Sequence, residues 1–495
     1  MTTLHRLSDA TLAALPAGVR HPGYNRTALA TGIVHLGLGA FHRAHQAVYT
    51  DAAIAAGDTR WGILGASLRA ADTRDALVPQ DGLYTIAVRS AEGEALRVIG
   101  ALRGVLVGPE DPAALIAAMA DPAVLIVSLT VTEKGYCHDP ATGTLNEDHP
   151  DIRHDLAHPG APRSAPGYIV EALARRRAAG VPAFTVLTCD NLPANGHTAG
   201  RVVSRLAAMR DGDLGRFVAQ EVAFPSTMVD RIVPATTDDD RARVAAALGL
   251  QDAWPVMTEP FSQWVIEDRF PGGRPDWAAH GAELVADVAP FETMKLRLLN
   301  GAHSSLAYLG YLAGRETVAD AMALAPLAVH VRRLMDEEAG PTLSLPPGAD
   351  VEGYKDRLVA RFRNPALRHR TSQIAMDGSQ KLPQRLLGPI RDRLAAGAPI
   401  PRLALGVAAW MRYVAGTDEA GQPIDVRDPL AADLRRRADE AGPDAARLAP
   451  ALMAVEAIFG PDLPRDPRFT EPVTRALDSL IALGVARTLE TLNAA

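Results

Sequence analysis

The chain has 495 residues, more than one hydrophobic core usually serves, so two domains are the default expectation. Hydrophobic residues make up 47% and charged residues 22%, an ordinary globular balance with enough apolar sequence for a large core. A net charge of −7 with scattered basic residues argues against nucleic acid or an anionic membrane as partner, and two cysteines exclude a disulfide framework or a cysteine-rich zinc site.

The first 20 residues are broken by His5, Arg6, Asp9 and Pro16 and lack the apolar centre of a signal peptide. Residues 33–36 form a short apolar run ending in glycine, and 44–56 read as helix. Residues 61–67 are a second strand. The most apolar stretch, 113–131, is interrupted by Asp121 and Pro122, which marks a helix followed by a strand at 124–130 rather than a membrane span. A helical pattern at 168–179 precedes another strand at 184–187. Continuous apolar runs separated by helices are what a parallel sheet covered on both faces requires, so the first half is expected to be a doubly wound α/β domain of Rossmann type. After about residue 289 Ala, Leu and Arg dominate segments such as 295–312, 324–337, 403–413 and 473–489. The expected organisation is a cofactor-binding domain over 1–288 and a mostly α-helical domain over 289–495. A cytoplasmic enzyme without a membrane span is the expectation.

Gly37-Leu38-Gly39-Ala40-Phe41-His42 follows the first strand and precedes a helix. Two glycines there allow a tight turn and let backbone N–H groups approach a pyrophosphate. The third glycine of the dinucleotide fingerprint is absent, and His42 stands in its place. Gly37, Leu38, Gly39, Ala40 and Phe41 are therefore candidate cofactor contacts, while His42 and Arg43 suit packing or cofactor contact. Strand two ends without an acid to hold a ribose; Arg69 is either a solvated residue or a phosphate contact, which leaves NADP open beside NAD. His35, His42 and His45 lack a completing carboxylate or cysteine, so no metal site is expected.

The second domain opens on Phe291-Glu292-Thr293-Met294-Lys295 and runs to His303. At about 100° per residue, Lys295, Asn300 and His303 share an arc of roughly 140° on a leucine-rich helix. Hydride transfer to a carbonyl needs a proton donor, dipoles for the developing alkoxide and a held hydride carrier. A desolvated lysine suits the first role, because burial lowers its pKa toward neutrality, and asparagine amides suit the second. Asn191, in Thr188-Cys189-Asp190-Asn191, follows a strand and so sits near the carboxyl end of the sheet, where ligands bind in such folds. Asp230 is a further candidate; Asp190 and Asp230 could equally be structural carboxylates.

Five segments together resemble the mannitol dehydrogenase family, the polyol-specific long-chain dehydrogenases. They are 37–46 (GLGAFHRAHQ), 128–136 (SLTVTEKGY), 189–196 (CDNLPANG), 228–234 (MVDRIVP) and 295–303 (KLRLLNGAH). The resemblance implies a Rossmann-type domain with NAD, a helical second domain, no metal and a monomer. It implies Lys295 as general acid/base, Asn191 and Asn300 as oxyanion donors, His303 as a substrate-orienting group, Asp230 as a hydroxyl contact and Glu292 as a proton gate. Residues 133–137 (EKGYC) and 369–385 (HRTSQIAMDGSQKLPQR) look like the fructuronate reductase branch, which implies D-mannonate and D-fructuronate as substrates. A uronate carries a carboxylate, and Arg370, Lys381 and Arg385 are candidates to bind it through charge-assisted hydrogen bonds. The alternatives are a mannitol 2-dehydrogenase or arabinitol dehydrogenase of the same family and, from another class, a cofactor-binding regulator without turnover.

Overall fold

The computed structural model describes residues 4–139 and 142–494. The chain divides into two compact units, Met1–Ala289 and Pro290–Ala495, and all the strands among the described residues lie in the first.

In chain order these strands are β1 (Thr31–Leu36), β2 (Gly62–Ser67), β3 (Tyr84–Ser90), β4 (Gly93–Ile99), β5 (Leu102–Val107), β6 (Ile126–Leu129), β7 (Thr185–Thr188), β8 (Thr227–Asp230), β9 (Val256–Thr258), β10 (Gln263–Glu267) and β11 (Glu283–Val285). A five-stranded parallel sheet has the order β5-β2-β1-β6-β7. Its direction of winding reverses between β1 and β6, which makes the carboxyl ends of these two strands the topological switch point. The apolar runs are continuous because alternate residues serve opposite faces. Val34, Leu36, Val127 and Val186 enter one buried cluster with the helices Pro112–Ala120, Ala165–Ala178 and Asn195–Arg210. Ile33, Ile63, Ile126 and Leu187 enter the other, with Ala47, Ile54, Trp264 and Trp277. The expected doubly covered parallel sheet is therefore present.

Two three-stranded sheets, β4-β3-β9 and β11-β10-β8, complete the first unit and were not foreseen. Each joins segments far apart in sequence, such as Ile86 with Val256, and short runs of this kind carry no local sign of their partner. The expected helix over 44–56 is present as Gln46–Ala55, and a separate short helix, Ala40–Ala44, precedes it across a break at His45 (φ −123°, ψ −90°).

The second unit is built from helices, and its continuity hides a second departure. The expected uniform helix over 295–312 is a π-helical stretch, Lys295–Gly301, followed by an α-helix, Ala302–Leu312. Two more π-helical stretches, Leu334–Ala339 and Pro383–Leu387, occur in this unit. In the last of these, Pro383 has no N–H for the i−4 carbonyl and its ring clashes there, which is sufficient cause for the turn to widen. No helix among the described residues is long and apolar enough to cross a membrane.

Two buried histidines make stability pH-dependent. Burial lowers the pKa of His35 and of His330 to about 3, well below the unfolded value near 6.5. The unfolded chain therefore binds more protons between those limits, and the stabilising effect of a neutral imidazole, complete above pH about 6.5, is lost as pH falls toward 3. The urea midpoint of the wild type should drop between pH 7 and 5, and by less in His330→Gln. Equal drops in both proteins would refute this assignment.

Candidate functional site

In the first unit the switch point is organised by one buried hydrogen-bond chain. Thr130 Oγ1 donates to the Gly37 carbonyl at 2.9 Å, which commits its only proton. His35 Nε2, 2.9 Å from the same oxygen, must then be the protonated nitrogen, and Nδ1 accepts from Ser128 Oγ at 2.8 Å. This chain ties the turn after β1 to the loop after β6. Gly37 has φ +87°, and a Cβ there would lie 2.3 Å from the Thr130 carbonyl oxygen. Gly39 is exposed, and a Cβ on it would meet only Gly37 O, at 3.8 Å. The space over this turn is thus open to a ligand that approaches the backbone closely, and a nicotinamide dinucleotide fits it.

Among the other candidate cofactor contacts, Leu38 turns its side chain into the core against Gly65, so only its backbone faces the turn. Ala40 and Phe41 are part-buried at the start of the short helix. His42 and Arg43 are not surface contacts. His42 is buried and stacked on His35 with ring centroids 3.4 Å apart, and burial, then the neighbouring imidazole, drives its pKa well down. Arg43 donates to the Trp254 carbonyl at 2.6 Å and lies over the Tyr84 and Trp254 rings. Packing is the service both side chains perform: His42 lies against His35 on β1, the central strand of the sheet, and Arg43 against Tyr84 and Trp254. Arg69 is exposed just beyond β2.

Asp190 resolves as a structural carboxylate. It accepts from Val131 N at 3.0 Å, Thr132 N at 2.9 Å and Tyr136 Oη at 2.8 Å, so it pins the loop after β6, where Thr132 has φ +65°. Asn191 follows it and is exposed beyond the carboxyl end of β7. Asn195, which sequence reasoning passed over, fixes this segment through Nδ2 donations to Asp190 O at 3.1 Å and Thr227 O at 2.9 Å. Asp230 closes β8, buried opposite Gln263 of β10.

In the second unit Glu292 lies on the helix Ala289–Met294, one turn before Lys295, and both are part-buried. Because Lys295 and Asn300 fall within the π-helical stretch, whose hydrogen bonds run from i to i+5, they stand more nearly one above the other than an α-helix would place them. Gly301 permits the next layer: a Cβ there would lie 2.8 Å from the carbonyl oxygen of Arg385. His303 stacks on Phe362 with centroids 5.2 Å apart and meets His369 edge-on at 5.0 Å. Burial lowers its pKa well below the usual value, and the nearby His369, Arg361, Arg385 and Lys381 add to the effect. The imidazole is therefore neutral, with one donor and one acceptor nitrogen.

Lys381 and Arg385 belong to this neighbourhood, and Arg370 does not. Arg370 is exposed at the start of the helix Thr371–Ile374, where it pairs with Glu316 at 3.7 Å. Its neighbour His369 points inward instead. Neither Arg361 nor His369 stood out in the sequence; the one signal was an arginine beside Phe362 at the end of an amphipathic helix, Val351–Phe362. Elsewhere, in the first unit, possible ligand atoms of Cys137, His149 and Asp151 lie within 4.8 Å of one another, but His149 Nδ1 already accepts the Asp151 N–H as a helix cap.

The chain matches the model of the mannitol dehydrogenase Rossmann domain over residues 31–279 and that of the mannitol dehydrogenase C-terminal domain over residues 287–481. It is 50% identical over 477 residues to the oxidoreductase YdfI of Escherichia coli, covering 96% of this chain and 98% of that one. It is 49% identical over 479 residues to the D-mannonate oxidoreductase of the same organism, again covering 96% and 98%. The structure of Pseudomonas fluorescens mannitol 2-dehydrogenase in ternary complex with NAD and D-mannitol matches with a TM-score of 0.82 at 40% identity, covering 98% of this chain and 99% of that chain.

Proposed function

The chain belongs to the mannitol dehydrogenase family, and from that premise we propose that it interconverts D-fructuronate and D-mannonate with NAD. The observation that carries the proposal is the Lys295–Asn300 pair on one π-helical turn, followed by a neutral His303 ringed by cations. The 49% identity to a D-mannonate oxidoreductase supports the acid substrate, and the open glycine turn at the switch point supports the dinucleotide.

When bound, the dinucleotide is the source or sink of the hydride. In the reducing direction the Lys295 ammonium gives its proton to the ketone oxygen at C5 of D-fructuronate, so that one hydride and one proton yield the alcohol. In reverse, the neutral amine removes the hydroxyl proton. The Asn300 amide donates to the oxygen as charge develops on it, where a preorganised donor is most effective. His303 orients a substrate hydroxyl, and Glu292 passes protons between Lys295 and solvent. We further propose Asn191 as an amide donor and Asp230 as a hydroxyl contact.

A spectrophotometric panel of fructuronate, mannonate, fructose, mannitol and arabinitol with NAD(H) and NADP(H) tests this. Mannonate should be oxidised with a higher kcat/KM than mannitol, and with NAD in preference to NADP. Faster turnover of mannitol would establish instead the reading favoured by the match to mannitol 2-dehydrogenase. Cofactor binding with no turnover of any substrate would establish a regulator.

A further inference from the structure

We propose that Arg385 is the residue that reads the substrate's carboxylate and so sets the preference for a sugar acid over a neutral polyol. The inference rests on the sugar-acid reading above.

Arg385 sits on the π-helical stretch Pro383–Leu387, and its backbone carbonyl packs against Gly301, next to Asn300. Its Nη1 donates to Ser304 Oγ at 3.1 Å, and Ser304 adjoins His303. The guanidinium thus lies beside the helix that carries His303 and is close enough to help lower the pKa of that imidazole. Its remaining N–H groups have no protein partner among the described residues, and neither Arg385 nor Lys381 forms an ion pair there. The Lys381 ammonium is turned to the carbonyls of Ile374, at 3.3 Å, and Met376, at 2.5 Å. Lys381 therefore adds charge to the neighbourhood, while Arg385 keeps the free donors.

The acids nearby act on Lys381, where Asp377 and Asp428 oppose the lowering of its pKa by burial and by Arg385, and neither forms an ion pair with Arg385. Asp428 is held by Ser379, whose N and Oγ donate at 2.7 and 2.6 Å, and by Leu430 N at 2.8 Å. Asp377 begins the helix Gly378–Leu382 in a left-handed conformation, φ 54°. Arg361 and His369 lie on the His303 side and are basic residues themselves. A part-buried guanidinium such as that of Arg385, with no ion pair among the described residues, is costly unless an anion completes the site. A guanidinium binds a carboxylate through two parallel N–H bonds roughly twice as strong as neutral ones, whereas a polyol hydroxyl at the same place offers no charge. Arg370, by contrast, has its acid already in Glu316.

The test compares kcat/KM for fructuronate and for fructose in the wild type, Arg385→Gln and Arg385→Lys, with thermal midpoints as the check on folding. Gln retains a donor for Ser304 and removes the charge; Lys keeps the charge and removes the fork. The fructuronate-to-fructose ratio of kcat/KM should fall about 100-fold in Arg385→Gln, mostly through KM, and by less in Arg385→Lys. An unchanged ratio in a folded Arg385→Gln, whether both activities survive or both are lost together, would overturn the inference and leave the sugar-acid reading intact. A wild type that reduces fructose and not fructuronate would sink both.

Discussion

Lys295→Ala should lower turnover about 10³-fold or more while leaving NADH affinity within a fewfold of the wild type. The size follows from what a positioned general acid/base contributes, roughly 10²–10⁴, with Asn300 left facing an oxygen that no longer receives its proton. Affinity should survive because the glycine turn proposed to hold the dinucleotide belongs to the first unit and Lys295 to the second. A structural role would lower activity too, so a second readout is needed. Small primary amines added to the variant should restore part of the rate, since they can occupy the space of the lost side chain. Turnover near that of the wild type, or an inactive variant that has also lost NADH binding, would contradict the assignment.

Gly37→Ala and Gly39→Ala should separate folding from cofactor binding. At Gly37 a Cβ would meet the Thr130 carbonyl at 2.3 Å, a backbone atom held in place by the His35–Thr130 chain. With φ +87°, alanine there also incurs a left-handed cost of about 1–2 kcal/mol. Both effects act in the same direction: Gly37→Ala should lower the thermal midpoint and weaken NADH binding at least tenfold. Gly39 has φ −105° and only Gly37 O near its Cβ, so Gly39→Ala should fold normally. Its methyl group stands where the dinucleotide must approach, and NADH affinity should still fall. Fluorescence titration with NADH beside thermal melts reads both, and a Gly39→Ala variant that binds NADH like the wild type would remove the turn from the cofactor site.

The groups flanking His303 show where sequence reading stops. Periodicity placed Lys295, Asn300 and His303 on one helix but with α-helical phase; the π-helical stretch brings the first two closer to alignment. Adjacent residues 369 and 370 face opposite ways. Sequence reasoning took the arginine, yet the helix beginning at Thr371 sends Arg370 out to Glu316 and His369 in against His303. One residue of rotation decides which of two neighbours faces inward, and that rotation depends on the packing of the whole segment.

By itself the sequence determined the parallel sheet, because runs such as 33–36 and 124–130 are apolar on both faces and only a doubly covered strand needs that. It also determined the two-glycine turn and the spacing of the lysine, asparagine and histidine, which are local patterns. Tertiary structure alone decided that β3 pairs with β9, that Asp190 pins a loop, that His42 and Arg43 pack inside, and that Arg385 keeps free donors. Each of these depends on groups remote in the chain, so their burial and hydrogen bonds exist only once the fold has brought them together.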